Sequence, residues 1–276
     1  MRIDAHQHYW RISRGDYGWI TPELPVLYRD LLPEQLEPAL KAHQLDGTIV
    51  VQAAPTFEET RFLLELSEQH DSILGVVGLF DAEAASCWEH YELFRTHPKL
   101  KGVRVMIQDM ADASAIVREP WLSAWTRLEA DQTPVDLLVR ANQLDEVLNL
   151  LKHAPTLHAV IDHLGKPAIA QGVLEPWREQ LQAIAAYPNV YGKLSGMVTE
   201  ANHSSWNVSD FRPYVEHALD CFGPERVMFG SDWPVCLLAG SYEEVLDVLE
   251  QSLPQSWGEA ERSRLFGRNA LQFYRI

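Results

Sequence analysis

Two histidines, His6 and His8 in Asp4-Ala5-His6-Gln7-His8, close the first apolar run of the chain. Residues two apart on a strand share a face, so both imidazoles point the same way. So placed, they can hold one metal ion or donate hydrogen bonds to one carbonyl oxygen. Such a pair also arises by chance, and its place after a strand is what favours chemistry. Asp232, in Phe229-Gly230-Ser231-Asp232-Trp233-Pro234, leaves the last strand-like run. It is either a loop cap before Pro234 or a carboxylate that takes a proton from water or ligates a metal. His163, in Ile161-Asp162-His163-Leu164-Gly165-Lys166-Pro167, is a third imidazole or a hydrogen-bonded structural residue.

Polar residues end other strand-like runs: Gln52, Arg104, Arg140, Lys193 and Ser195. Singly they would be surface residues; at successive strand ends they line a polar pocket. Arg104, inside Val103-Arg104-Val105-Met106, is costly to bury without an acidic partner or a substrate. Trp10, Tyr17, Trp19 and Trp233 flank the same motifs, and flat aromatic faces beside polar groups suit sugar rings as well as core packing.

These residues need elements that bring them to one place. Strand-like runs are Arg2–His6, Thr48–Gln52, Leu74–Phe80, Val103–Ile107, Val135–Val139, Ala159–Asp162, Val190–Leu194 and Val227–Gly230. Most are continuously apolar, as parallel strands covered on both faces are. Amphipathic helices alternate with them. Capping boxes are expected at Thr56 with Glu59 and at Ser241 with Glu244, an N-cap at Asn142 and a helix end at Gly223. Eight alternations without a linker predict a single (β/α)8 barrel domain over residues 1–276. A doubly wound sheet would carry a glycine fingerprint after its first strand, where His-Gln-His stands instead. In a closed barrel strand eight lies beside strand one, so Asp232 becomes a neighbour of His6 and His8. Two long connections, Tyr9–Pro33 and Ser195–Ser209, leave carboxyl strand ends and are expected to cover a substrate.

Composition narrows the partners. With 46% hydrophobic and 22% charged residues the chain is globular rather than disordered. A net charge of −16 without a basic cluster argues against nucleic-acid and membrane partners. Met1-Arg2-Ile3-Asp4 opens no apolar leader, and three scattered cysteines suit a reducing compartment, so a cytoplasmic enzyme is expected.

The chain resembles the lactonase-like branch of the amidohydrolase superfamily, and within it L-fuconolactonases and related sugar-lactone hydrolases. The resemblance rests on Arg2-Ile3-Asp4-Ala5-His6-Gln7-His8-Tyr9-Trp10, Asp162-His163-Leu164-Gly165-Lys166-Pro167, Lys193-Leu194-Ser195-Gly196 and Gly230-Ser231-Asp232-Trp233-Pro234-Val235. Asp16–Ile20, Asp136–Val139 and Val198–Ala201 extend it along the chain. It implies hydrolysis of a lactone ester, with His6, His8, His163 and Asp232 in the barrel mouth. Two-metal amidohydrolases add a bridging carboxylated lysine and a further strand-end histidine. Here strand four offers Arg104 and strand five ends in Leu137-Leu138-Val139-Arg140. That leaves one zinc on His6, His8 and Asp232, with His163 as a further candidate, or catalysis without a metal.

The expected activity is therefore opening of a small sugar (aldono) lactone, with Asp232 as general base and the histidines, or a zinc they hold, stabilising the oxyanion. Arg104, Gln52, Lys193, Arg140, Tyr17 and Trp19 are the expected substrate contacts. Hydrolysis of a pyrone dicarboxylate would demand several convergent arginines, and only Arg104 and Arg140 stand at strand ends. A decarboxylase on the same barrel and a non-catalytic sugar-binding barrel are the remaining alternatives.

Overall fold

The computed structural model describes residues 1–276. Eight parallel strands pair in sequence order: β1 Ile3–Gln7, β2 Gly47–Val51, β3 Ile73–Leu79, β4 Leu100–Met106, β5 Val135–Leu138, β6 Ala159–Ile161, β7 Val190–Leu194 and β8 Val227–Phe229. The helices are α1 Pro33–Ala42, α2 Phe57–Gln69, α3 Cys87–Phe94, α4 Trp121–Ala130, α5 Leu144–His153, α6 Trp177–Ala185, α7 Met197–Glu200, α8 Val208–Phe222, α9 Tyr242–Ser252, α10 Glu259–Ser263 and α11 Asn269–Tyr274. The architecture is a (β/α)8 barrel. Each expected strand is present within a few residues of its expected bounds. No helix is long and apolar enough to cross a membrane.

The barrel closes between β8 and β1 through residues just beyond the strands. The Asp232 amide donates to the His6 carbonyl at 2.8 Å, and the His8 amide to the Trp233 carbonyl at 2.7 Å. Below them one oxygen of Asp4 accepts from the amides of His6, at 3.1 Å, and Ser231, at 2.9 Å. Its other oxygen accepts from the Tyr242 hydroxyl of α9 at 3.0 Å. Asp4 thus faces the helical layer, while Ile3 and Ala5 pack inside the barrel with Ile49, Val51, Val77 and Met228. Strict alternation would send His6 outward with Asp4. Instead the β1–β2 register breaks between Asp4 and Gln7. A bulge of this kind re-aims side chains, and here it turns His6 and His8 inward.

Local signals behaved unevenly. Ser241 and Glu244 form the expected reciprocal box, at 3.2 and 2.7 Å, and Gly223 ends α8 at φ 66°. Thr56 caps α2, but the Glu59 side chain does not return to it. It accepts instead from the amides of Ala53, at 2.8 Å, and Ala54, at 2.5 Å. Asn142 is no cap, because it lies inside the 3-10 turn Ala141–Gln143 that precedes α5. The connection Ser195–Ser209 is partly helical, carrying α7 and the first residues of α8.

The seam leaves no room above β8. A Cβ built on Gly230 would lie 2.5 Å from the His6 Cβ and 3.1 Å from its amide nitrogen. Gly230→Ala is therefore expected to cost about 1–3 kcal/mol, the usual range for overpacking, measured as the shift in a denaturant midpoint. An unchanged midpoint would mean that the seam yields freely.

Candidate active site

At the carboxyl ends of the strands lies a cavity of about 860 Å³ whose wall includes His8, His163 and Asp232. Three imidazole nitrogens converge on Asp232 Oδ1: His8 Nε2 at 3.2 Å, His6 Nε2 at 3.7 Å and His163 Nε2 at 3.9 Å. The rings stack edge to face, His6 to His8 at 4.9 Å and His6 to His163 at 4.5 Å between centroids. Closure was expected to set Asp232 beside His6 and His8, and it does; His163, open between a third imidazole and a structural residue, stands beside them.

Each imidazole is oriented from behind. His8 Nδ1 lies 2.7 Å from the Val51 carbonyl, which can only accept, so Nδ1 carries a proton. Its Nε2 lone pair would then face the Asp232 carboxylate across 3.2 Å unless a proton or a cation lies between them. His163 Nδ1 pairs with the Ser195 hydroxyl at 2.8 Å. His6 Nδ1 sits between the Lys193 ammonium, a donor at 3.2 Å, and Asp162 Oδ1, an acceptor at 3.3 Å. Donation to Asp162 frees the Nε2 lone pair for a metal, and acceptance from Lys193 leaves Nε2–H as a hydrogen-bond donor. That buried Nε2 has no partner within the protein. Burial pushes the His163 imidazole down to about 4 against the opposing pull of Asp232 and Asp162. Burial alone would raise Asp232, but His163, the His8 hydrogen bond and His6 outweigh it, so its carboxyl stays well below the usual range. Burial likewise holds the His6 imidazole well below its ordinary value, so His6 and His163 stand neutral beside the Asp232 carboxylate at neutral pH.

This donor set fits a metal. Zinc bonds of about 2.0–2.1 Å in a tetrahedron put ligand atoms about 3.3 Å apart, close to the separations around Asp232 Oδ1. His6, His8 and Asp232 have ligating atoms within 4.8 Å of one another. A second buried group, His6, Asp136 and Asp162, also converges. Its centre is taken by the Lys193 ammonium, which contacts Asp136 Oδ2, Asp162 Oδ1 at 3.1 Å and His6 Nδ1 at 3.2 Å.

Lys193 was expected to meet substrate, and the structure places it elsewhere. It is 0% exposed and lies beneath the cavity. An ammonium there compensates two carboxylates that have no water. Gln52 is likewise sealed off, with its carbonyl and Oε1 accepting from Arg104 Nη2. Arg104 reaches the cavity wall but is tied below by Asp162 Oδ2 at 3.5 Å, the acidic partner its burial required. Tyr17 is buried in the core and forms no part of the wall. Arg140 and Trp19 do line the cavity. Trp19 is 39% exposed, held edge-on to Trp10 at 5.6 Å and by its Nε1 donating to the Ala53 carbonyl at 2.8 Å. Both long connections contribute to the wall, through Asp16 and Trp19 and through Thr199 and Glu200.

Residues 3–276 match the amidohydrolase family model. The chain belongs to the amidohydrolase family. Over 288 residues this amidohydrolase is 42% identical to an L-fucono-1,5-lactonase of Burkholderia multivorans, covering all of this chain and 96% of that one. It is 39% identical over 282 residues to an L-fucono-1,5-lactonase of Burkholderia ambifaria, with the same coverage, 100% and 96%. A crystal structure of a Burkholderia multivorans amidohydrolase with zinc bound superposes with a TM-score of 0.93 at 42% identity, covering 100% of this chain and 99% of that one.

Sequence reasoning missed the residues behind the site. Asp162 belongs to the Asp162–Pro167 motif, yet nothing local marks it as the partner of both His6 and Arg104. Lys166 and Glu200, which line the cavity, were also passed over. Their signal was position: each lies a few residues past a strand end, as Arg140 does. The buried cluster makes a direct test. Lys193→Met strips Asp136 and Asp162 of their counter-charge, and breaking a buried pair typically costs about 3–5 kcal/mol. A denaturant melt of the variant should show a loss of that size, and a loss below about 1 kcal/mol would mean that the ammonium is not needed there.

Proposed function

We propose that this chain is a hydrolase that opens a sugar (aldono) lactone, L-fuconolactone-like, to the aldonic acid. The observation that carries the reading is Asp232 set among three imidazoles on the floor of a small-molecule-sized cavity. The wall supports a neutral polyol. It holds six carboxylates (Asp16, Asp81, Glu83, Asp109, Glu200, Asp232) against three cations (Arg104, Arg140, Lys166). Carboxylates accept from sugar hydroxyls and repel a dicarboxylate. The relatives named L-fucono-1,5-lactonase point to the same substrate class.

In the proposed reaction Asp232 takes a proton from water as the water oxygen bonds to the lactone carbonyl carbon. The carbonyl oxygen becomes an oxyanion beside His8 and His163 on the cavity wall, and His163 Nε2–H can donate to it when its Nδ1 accepts from the Ser195 hydroxyl. Donors aimed at a developing oxyanion in a dry site are the largest single contribution in many hydrolases. Collapse breaks the bond to the ring oxygen, which takes the proton back from Asp232 and leaves as a hydroxyl. The new carboxylic acid loses its proton to solvent. His6, His8 and Asp232 would hold a single zinc ion, with His163 beside it, and a bound ion would supply Lewis-acid polarisation of the carbonyl. The donor-only arrangement needs none, so the proposal is one zinc or none.

The reading is tested with a pH-indicator assay over a panel of five- and six-membered aldonolactones, with and without chelator. Rapid turnover of at least one neutral sugar lactone is expected. Asp232→Asn should lower kcat about 10²- to 10⁴-fold, the range of a positioned general base, with the fold intact by circular dichroism. A folded Asn variant with near-native turnover would remove Asp232 from the reaction. Trp19 offers a flat wall at the mouth, so Trp19→Ala should shift kcat/KM ratios between two sugar lactones several-fold at little cost in stability. A loss of about 3–5 kcal/mol with unchanged ratios would make it a packing residue.

A further inference from the structure

Four carboxylates and two cations of the cavity come from different sides of it, with Glu200 and Asp232 standing nearer the cations. Asp16, Asp81, Glu83 and Asp109 line it from the connections after β1, β3 and β4. Arg140 and Lys166 line it from those after β5 and β6, on the side of His163. Unlike Arg104, neither of these two cations pairs its side chain with a carboxylate or a carbonyl of the protein. A neutral lactone gives such cations nothing to neutralise, whereas its hydrolysis creates one negative charge, first on the carbonyl oxygen and then as a carboxylate.

The backbone aims Lys166 deliberately. His163, Leu164, Gly165 and Lys166 follow one another at φ 54°, 51°, 73° and 53°, a left-handed turn closed by the Lys166 amide on the His163 carbonyl at 2.8 Å. Only Gly165 adopts that region freely, and the others are strained in it. Leu144 packs under the turn, 2.8 Å from where a Cβ on Gly165 would stand. One strained turn therefore delivers both His163 and Lys166 into the cavity. Burial lowers the ammonium of Lys166, while Asp232 and then Glu200 oppose that shift, which places it in the field of the carboxylate beside the scissile bond.

We propose that Lys166 is a catalytic residue whose ammonium meets the negative charge formed at the lactone carbonyl and, with Arg140, makes the subsite for the product's carboxylate. The inference rests on the lactonase reading. It assigns Lys166 an interaction made with the transition state and product rather than with the ground state, the only kind that accelerates the chemical step.

The test compares wild type with K166M, K166Q and K166R, all of which keep an L side chain at the left-handed position. Each is assayed with a neutral lactone that wild type turns over, and titrated calorimetrically with the corresponding aldonate. In K166M, kcat is expected to fall about 10²-fold, within the range for loss of one oxyanion donor. KM for the neutral lactone should change less than about threefold, aldonate affinity should weaken tenfold or more, and K166R should recover part of both losses. If K166M does not fold, K166Q carries the same expectation. A folded K166M or K166Q that binds aldonate as tightly as wild type and keeps its kcat overturns the role of Lys166 and leaves the lactonase reading standing. Failure of wild type to hydrolyse any lactone in the panel defeats that reading itself.

Discussion

A parallel sheet of eight strands has two unpaired edges, and here they are hidden by bonding β8 to β1 just above the strand ends. The hydrogen bonds that do this come from the backbones of His6, His8, Asp232 and Trp233. The side chains of three of them, His6, His8 and Asp232, make the cluster at Asp232 Oδ1. Closure and chemistry are thus served by the same few residues. Asp4 secures the arrangement from below by taking the amides of His6 and Ser231 on one oxygen. Gly230 is required because the His6 backbone and the His6 and Ser195 side chains meet where any Cβ would stand. A shift of the seam by one residue would separate Asp232 from the imidazoles and open the barrel at once.

Under the site runs a line of buried charge. Tyr274 donates to both oxygens of Asp136, Lys193 joins Asp136 to Asp162 and His6, and Arg104 ties Asp162 to Gln52. Two cations and two carboxylates compensate one another there, which is the condition for burying any of them. The result is a division by depth. Lys193 and the tied nitrogens of Arg104 hold the floor in place, and the cations nearer the mouth remain open to a ligand. The Lys193 ammonium also fills the second place where buried ligands converge, so the barrel carries a fixed positive charge there as part of its own chain.

Strain collects around the same floor. His163, Leu164, Lys166 and Asp232 all have φ between 51° and 58°, and none is a glycine. Such conformations persist only where surrounding contacts over-determine them. At His163 the Ser195 hydroxyl does so, and at Asp232 the seam does. Gly196, at φ 59°, makes room between them, since a Cβ there would lie 2.5 Å from His163 Nδ1 and 3.1 Å from Asp232 Oδ2. A backbone free of strain would aim these side chains elsewhere.

By itself the sequence determined the barrel, the order of its strands and the meeting of Asp232 with His6 and His8, and left His163 open. Strands buried on both faces must be apolar throughout, so each one announces itself. Eight in a row joined by helices have one simple closed arrangement, which decides the neighbours of strand eight. Only the tertiary structure decided which polar strand-end residue meets solvent and which meets a partner. Lys193 and Asp136 lie 57 residues apart, and their pairing depends on the stagger of β5 against β7, which no local pattern encodes. Glu59 completes a capping motif in sequence, yet its carboxylate goes to the amides of Ala53 and Ala54, because that turn is buried and its donors lack water. The left-handed run through Lys166 is equally silent, since leucine and lysine have no preference for it and are held there by the packing of Leu144 and by the Lys166 amide on the His163 carbonyl. Depth and stagger belong to the assembled barrel, so side chains of one type, Lys193 and Lys166, came to opposite ends of the same site.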